Sequence, residues 1–189
     1  MTHTSGLPPY APVSELQEKY GSPNPKGLME YISTCKREFK PQTKFQYSCL
    51  NYITLQHIIE TITGQSLRAF AKENIFDILG MQYTDYLPTI QQQDGKWINT
   101  VACPWMDRIA PTEKQKDGSV LCGQVHDPLA RILNGGISGN AGIFSNANDI
   151  GILAAALLNG GEYNGRRILS PLGVKTMCTV PRELTAFGR

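Results

Sequence analysis

A run of apolar residues at helical spacing dominates the sequence between residues 45 and 63. Leucine or isoleucine recurs there at positions 50, 53, 55, 58, 59 and 62, a period that places these side chains on one face of an α-helix. Gly64 follows directly, and glycine commonly ends helices because it adopts the left-handed backbone without strain. The pattern predicts that residues 45–63 form the best-defined helix of the chain.

Weaker forms of the same pattern predict further helices. They cover residues 14–20, 28–35, 66–76, 148–159 and 170–177, and a further segment that starts at Asp127 and Pro128. Ser66 is the expected N-cap of the helix at 66–76, and Asn146 or Asn148 that of the helix at 148–159. Between residues 87 and 124 the pattern is weak, and only short strands near 97–101 and 119–121 are expected. Without internal repeats, the chain is predicted to be mainly α-helical.

Charge and composition exclude several classes of function. Eighteen basic residues against 16 acidic ones give a net charge of +2 without a polybasic run, so nucleic acids and anionic membranes are not expected partners. The longest apolar stretch, residues 150–158, is far shorter than the roughly 20 residues of a transmembrane helix, and no signal-peptide pattern opens the chain. Five cysteines without a CxxC pair and three scattered histidines predict neither a metal site nor a disulfide framework. No metal and no cofactor are expected.

Three groups of segments, taken together, resemble the serine β-lactamase-like family, which includes class C β-lactamases, low-molecular-weight DD-peptidases and related esterases. The first is THTSGL at residues 2–7; the second is FQYSCLNY at 45–52 with its continuation to LGM at 79–81. The third comprises APTE at 110–113, VHD at 125–127, GNAGIFS at 139–145 and LLNGG at 157–161. Each piece alone is weak, but all of them in order along nearly the whole chain are specific.

The resemblance implies acyl transfer, in which a serine hydroxyl attacks a lactam, amide or ester carbonyl and water later releases the acyl group. The family uses an S-x-x-K turn that sets the lysine beside the serine, a Y-x-N motif, and a K-T-G-like or H-x-G strand motif. Its fold is α/β, an antiparallel sheet flanked by helices plus an all-helical lobe. The implied ligand is a small-molecule amide, lactam or ester, and an exported or periplasmic location is implied for the complete protein.

By resemblance, residues 1–189 form a partial domain that is incomplete at both ends. The S-x-x-K helix precedes the THTSGL segment in the family, and the strand motif follows a stretch that would start near Phe187. The chain is therefore expected to supply the helical lobe and the loops of the site, with most of the antiparallel sheet missing. Alone it is expected to be inactive. The alternative left open is a non-catalytic helical module that binds a partner.

Two segments resemble the S-x-x-K and K-T-G-like motifs of the family but lie at other places in the sequence. Ser33 and Lys36 form the only S-x-x-K of the chain, but they follow the THTSGL segment and lie too close to Tyr47, and we interpret them as a solvated helix end. The sequence KTM at residues 175–177 lies in a helical pattern and has Met where the strand motif needs glycine. Neither is expected to act in catalysis.

Three residues are candidates for the site. Tyr47 is the predicted catalytic residue, because it occupies the tyrosine of the Y-x-N motif and its phenolate can accept the serine proton when cations stabilise it. Cys49 takes the place of the motif's usual Asn and is assigned to substrate binding, although a thiol hydrogen bonds only weakly. Asn140, where many relatives carry His, is the second substrate-binding candidate, or else a turn residue that tolerates a positive φ. His126 is interpreted as part of a structural bracket, and His3 and His57 as surface or packing residues.

Overall fold

The computed structural model describes residues 2–179, which divide into two compact units. Among the described residues, the first unit contains residues 3–67 and 86–144, and the second contains residues 68–85 and 145–179. In these residues helices outweigh strands, as the sequence predicts. None of the helices within residues 2–179 combines the length and the apolar character that crossing a membrane requires.

The first unit is built around three helices and a short π-helix. Its elements are α1 (Val13–Tyr20), α2 (Pro25–Thr34), α3 (Cys49–Thr63), a 3-10 turn (Met106–Arg108) and a π-helix (Leu129–Leu133). Two hairpins lie between α3 and the π-helix: β2 (Thr89–Gln91) pairs antiparallel with β3 (Trp97–Asn99), and β4 (Glu113–Lys114) with β5 (Val120–Leu121). β6 (Ile143–Phe144) completes the unit.

The core of this unit packs the start of α3 against the neighbouring helices. Apolar side chains from the N-terminal segment, α1, α2, α3 and the π-helix meet there, namely Leu7, Ala11, Leu16, Leu28, Ile32, Leu50, Ile53, Leu129 and Leu133. The apolar stripe of α3 is therefore buried only in its first half, whereas Ile58 and Ile62 are exposed. Because burial of such side chains supplies most of the stability of a helix in a protein, the first two turns of α3 are the anchored part.

The second unit contains the remaining elements. The helix that starts as α4 (Leu67–Ala71) continues through a π-helical turn (Lys72–Phe76) into α5 (Asp77–Leu79), and β1 (Asp85–Tyr86) follows. Then come α6 (Ala147–Leu158), the hairpin of β7 (Glu162–Tyr163) with β8 (Arg166–Arg167), and α7 (Pro171–Cys178). Arg68 and Asp85 form an ion pair at 2.7 Å within this unit.

Most helix boundaries agree with the prediction, with one clear exception. Asn146, not Asn148, caps α6 by accepting a hydrogen bond from the amide of Asp149 at 2.8 Å, and Gly64 ends α3 with φ 68°. The predicted start of α3 at residue 45 is wrong, since the helix begins at Cys49. The residues before it are extended, with Ser48 at φ −147° and ψ 122°, because they are engaged by the N-terminal segment as described below.

Candidate active site

The tyrosine motif lies at the N-terminus of α3, where the chain changes from extended to helical. Ser48 is fully buried and donates its hydroxyl to the carbonyl of Pro8 at 2.6 Å, while the amide of Cys49 donates to the carbonyl of Pro9 at 3.0 Å. These bonds orient the motif, because successive side chains of an extended segment point to opposite sides. Ser48 points into the protein, and Tyr47 is 57% exposed. The tyrosine is thus available to a substrate.

The structure brings Tyr47 and Cys49 together. The Cys49 thiol contacts the Tyr47 hydroxyl at 3.9 Å between Sγ and Oη. The pKa of Tyr47 is raised above its ordinary value of 10.0, chiefly by the hydrogen bond and the charge interaction with Cys49, and further by burial and by Tyr52 and Asp127. A phenol of this kind remains protonated at neutral pH. Acting as a base would require a positive charge beside it.

Three aromatic side chains, those of Phe45, Tyr47 and Tyr52, lie around the ring of His3. The ring of His3 lies 4.6 Å from the ring of Tyr47, 5.5 Å from Tyr52 and 5.9 Å from Phe45. Nδ1 of His3 lies 3.1 Å from the Ser48 amide nitrogen and 3.2 Å from the Asn51 side-chain nitrogen. Sequence reasoning interpreted His3 as a surface or packing residue. It does pack, but against the motif that carries the candidate catalytic tyrosine.

Asn140 belongs to a glycine-rich loop that is fastened to the middle of α3. Its side-chain oxygen accepts a hydrogen bond from Ser138 at 2.7 Å. Ser138 in turn accepts from Asn134 at 2.7 Å. Gln56 of α3 joins the network, since its oxygen accepts from the amide of Gly139 at 2.9 Å and from the Asn134 side chain at 3.3 Å. Asn140 therefore occupies a defined position in the same unit as Tyr47 and Cys49.

Asn140 does not adopt the positive φ that an Asn in a turn tolerates. Among residues 2–179, the non-glycine residues with positive φ are His3, Gln42 and Asn164. The neighbouring residue, Gly139, lies where the loop closely approaches α3. A Cβ added there would lie 2.0 Å from the carbonyl oxygen of Tyr52. Glycine is required there to permit the contact between the two backbones.

The two segments that resemble the S-x-x-K and K-T-G motifs do not have the geometry that those motifs require. Ser33 is exposed and donates to the carbonyl of Glu30 at 2.8 Å, and α2 ends at Thr34 with an extended residue after it. Lys36 therefore lies outside the helix, and the one-turn spacing that S-x-x-K provides on a helix is lost. The residues of KTM at 175–177 are helical, within α7.

The VHD segment at residues 125–127 has a structural role, as expected. Asp127 accepts hydrogen bonds from the amide of Ala130 at 2.9 Å and from the hydroxyl of Tyr10 at 3.3 Å. The hydroxyl of Tyr10 also accepts from the amide of Leu129 at 3.2 Å, and burial together with Asp127 raises the pKa of Tyr10 to about 12. His126 is exposed and lies 3.3 Å from Glu113. The segment fastens the π-helix to the N-terminal part of the chain.

Comparison with known proteins identifies the class to which this fold and tyrosine motif belong. Residues 1–185 match the protein family described as "Beta-lactamase". A curated relative from Escherichia coli (strain K12), named "Putative D-alanyl-D-alanine carboxypeptidase", is 32% identical over 98% of this chain and 44% of its own length. The chain belongs to the beta-lactamase family of serine hydrolases.

Solved structures support the same fold at lower sequence identity. A penicillin-binding protein from Bacillus halodurans superposes with a TM-score of 0.56 at 18% identity, over 94% of this chain and 48% of the other. A D-amino acid amidase from Ochrobactrum anthropi SV3 gives 0.61 at 21% identity, over 92% and 44%. These similarities establish the serine β-lactamase and penicillin-binding-protein fold. The chain spans less than half of the length of the curated relatives it matches.

Proposed function

We propose that this chain is part of a serine hydrolase that works through an acyl-enzyme, and that it supplies the tyrosine motif and the loops around the site. The single observation that carries the proposal is the exposed Tyr47 at the anchored N-terminus of α3, with the Cys49 thiol beside it. In the proposed reaction a serine hydroxyl attacks a carbonyl carbon. The serine proton passes to the Tyr47 phenolate, which returns it to the leaving amine or alcohol.

The state of Tyr47 supports the further proposal that the 189 residues alone are inactive. Cys49, burial, Tyr52 and Asp127 all act to raise the pKa of its phenol, so the phenolate is not available at neutral pH. In an S-x-x-K arrangement the lysine ammonium would stabilise the phenolate. The S-x-x-K at Ser33 and Lys36 has no helical turn to join its two residues.

We propose an amide, lactam or ester as substrate, and an amide at a D-amino acid as the first class to test. The curated relative carries a name that specifies a D-alanyl-D-alanine carboxypeptidase, and one of the solved structures is a D-amino acid amidase. Cys49 limits this proposal, because a thiol hydrogen bonds a substrate amide less well than the Asn of the family motif.

Covalent labelling tests the proposal for the chain as it stands. The 189-residue protein is incubated with a fluorescent penicillin and its intact mass is measured, with the Ser33→Ala variant as a matched control. We expect no acyl adduct on either protein. Ser33 and Lys36 form the one S-x-x-K of the sequence, and no helical turn sets this lysine beside the serine to activate it. An adduct on the wild-type chain that disappears in Ser33→Ala would overturn the proposal and make Ser33 the nucleophile.

A further inference from the structure

The imidazole of His3 connects the N-terminus of α3 to the ring of Tyr47. Its Nδ1 lies 3.1 Å from the Ser48 amide nitrogen and 3.2 Å from the side-chain nitrogen of Asn51, and its ring lies 4.6 Å from that of Tyr47. His3 itself is held in place, since the amide of Gln46 donates to its carbonyl at 2.9 Å. One side chain therefore touches both the helix start and the candidate base.

The partners of Nδ1 determine where the imidazole carries its proton. A backbone amide can only donate a hydrogen bond, so Nδ1 must accept from Ser48 and cannot be protonated. The neutral imidazole then has its proton on Nε2. If Nδ1 were protonated, its N–H would face two other N–H donors, the Ser48 amide and the Asn51 side chain. Both contacts would then be lost.

We propose that His3 is a positioning residue for Tyr47, which as a neutral imidazole fixes the start of α3 and the phenol ring and on protonation releases both. The assignment of a catalytic purpose to this contact rests on the proposed function. The contact itself and its dependence on the protonation state of the imidazole do not rest on the proposed function, because they follow from the hydrogen-bond partners alone.

The surroundings of the ring favour the neutral form at physiological pH. Burial lowers the pKa of His3 below its ordinary value of 6.5. The other titratable groups around the cluster are Tyr47, Tyr52 and the Cys49 thiol, with Asp127 acting on Tyr47 at longer range. A lowered pKa means that the contact is fully present above pH 6.5 and is lost as the pH falls through the pKa of the folded protein.

Two histidine variants separate the contact from a general effect of the substitution. His3→Asn places an amide oxygen on the same side-chain carbon that carries Nδ1, so an acceptor remains but does not titrate. Asn also tolerates the left-handed backbone that His3 adopts at φ 56°. His57→Asn is the matched control, because His57 lies on α3 but is exposed.

Nuclear magnetic resonance of the 189-residue chain, with labelled histidine nitrogens and tyrosine rings, tests the proposal. The Tyr47 signal is identified by its loss in Tyr47→Phe. At neutral pH we expect His3 to carry its proton on Nε2, and on acidification the Tyr47 signal should shift with the midpoint of His3, below 6.5. His3→Asn should keep the neutral-pH position of the Tyr47 signal and lose the shift, and His57→Asn should retain it.

Three results would overturn the proposal. They are a proton on Nδ1 at neutral pH, a Tyr47 signal that does not move while His3 titrates, and a shift that persists in His3→Asn. The first two do not depend on His3→Asn, so misfolding of that variant would not protect the proposal. Because none of these signals depends on turnover, acylation of the 189-residue chain at Ser33 would count against the proposed function and leave the assignment of His3 standing.

Discussion

At the scale of single residues, the pair of Tyr47 and Cys49 distinguishes this chain from the motif it resembles. In the family the second position is usually Asn, which both donates and accepts hydrogen bonds. Here a thiol lies 3.9 Å from the phenol oxygen and is the largest cause of the raised pKa of Tyr47. Under the proposed function, the cysteine therefore bears on both the binding of the substrate and the readiness of Tyr47 to accept a proton.

Replacing the thiol should make the phenol easier to ionise. In Cys49→Asn the interactions of the thiol are removed and the amide N–H can donate to the phenolate, so we expect the pKa of Tyr47 to fall toward 10.0. A pH titration of the Tyr47 ring signals in the 189-residue chain measures it. Cys122→Ser is the control, since Cys122 is an exposed thiol whose hydrogen bond goes to the carbonyl of Ile109. An unchanged Tyr47 pKa in Cys49→Asn would show that the contact is not what raises it.

The residue whose contacts sequence reasoning did not identify is His3. Its contacts join positions 45 and 48 residues apart in sequence, and no periodicity or spacing rule links such positions. One signal was available, because the histidine lies in the THTSGL segment that carries the resemblance. Histidine is also among the few non-glycine residues that readily adopt a left-handed backbone. These two facts indicate a residue with a defined backbone position, but only coordinates show that its ring packs against that of Tyr47.

At the scale of elements, the sequence predicts the helices well and their contacts poorly. Periodicity placed α3, α6 and α7, and the caps at Gly64 and Asn146 follow from known preferences. The start of α3 was misplaced because residues 45–48 hydrogen bond to the distant N-terminal segment, a tertiary effect that local propensity does not contain. The π-helical turns at Lys72–Phe76 and Leu129–Leu133 carry no pattern that a 3.6-residue period reveals.

The loop that carries Asn140 depends on one glycine. Gly139→Ala places a methyl group 2.0 Å from the backbone oxygen of Tyr52, and backbone cannot move aside without disturbing α3. We expect the variant to lower the free energy of unfolding by about 1–3 kcal/mol, the range for overpacked sites. Denaturant unfolding of both proteins measures the difference.

Gly151→Ala is the control for that substitution. Gly151 lies within α6, where an added methyl group meets no atom within 4 Å, and alanine is the better helix former by about 1 kcal/mol. The control should therefore unfold at an equal or higher denaturant concentration than the wild type. If Gly139→Ala were as stable as Gly151→Ala, the close packing of the loop on α3 would be disproved.

At the scale of the whole molecule, the family of the chain is shown, while the length of the protein that would be active is a proposal. Residues 1–185 match the family and 98% of the chain aligns with a curated relative, but the alignment covers only 44% of that relative. The strands within residues 2–179 are two or three residues long. These observations support the proposal that the chain carries the helical lobe and site loops, with the larger sheet and the S-x-x-K motif outside these residues.

The central claim is that Tyr47 serves as the proton acceptor in the proposed site. Its direct test requires a longer protein that joins these 189 residues to an S-x-x-K helix and a K-T-G-like strand. Turnover of one ester and one D-amino acid amide is measured for that protein and for its Tyr47→Phe variant, with unfolding followed in parallel. We expect Tyr47→Phe to fold with unchanged stability and to lose turnover by a factor on the order of 10²–10⁴, as removal of a general base typically does. Unchanged turnover at unchanged stability would contradict the account and leave Tyr47 as an exposed aromatic residue at the start of a helix.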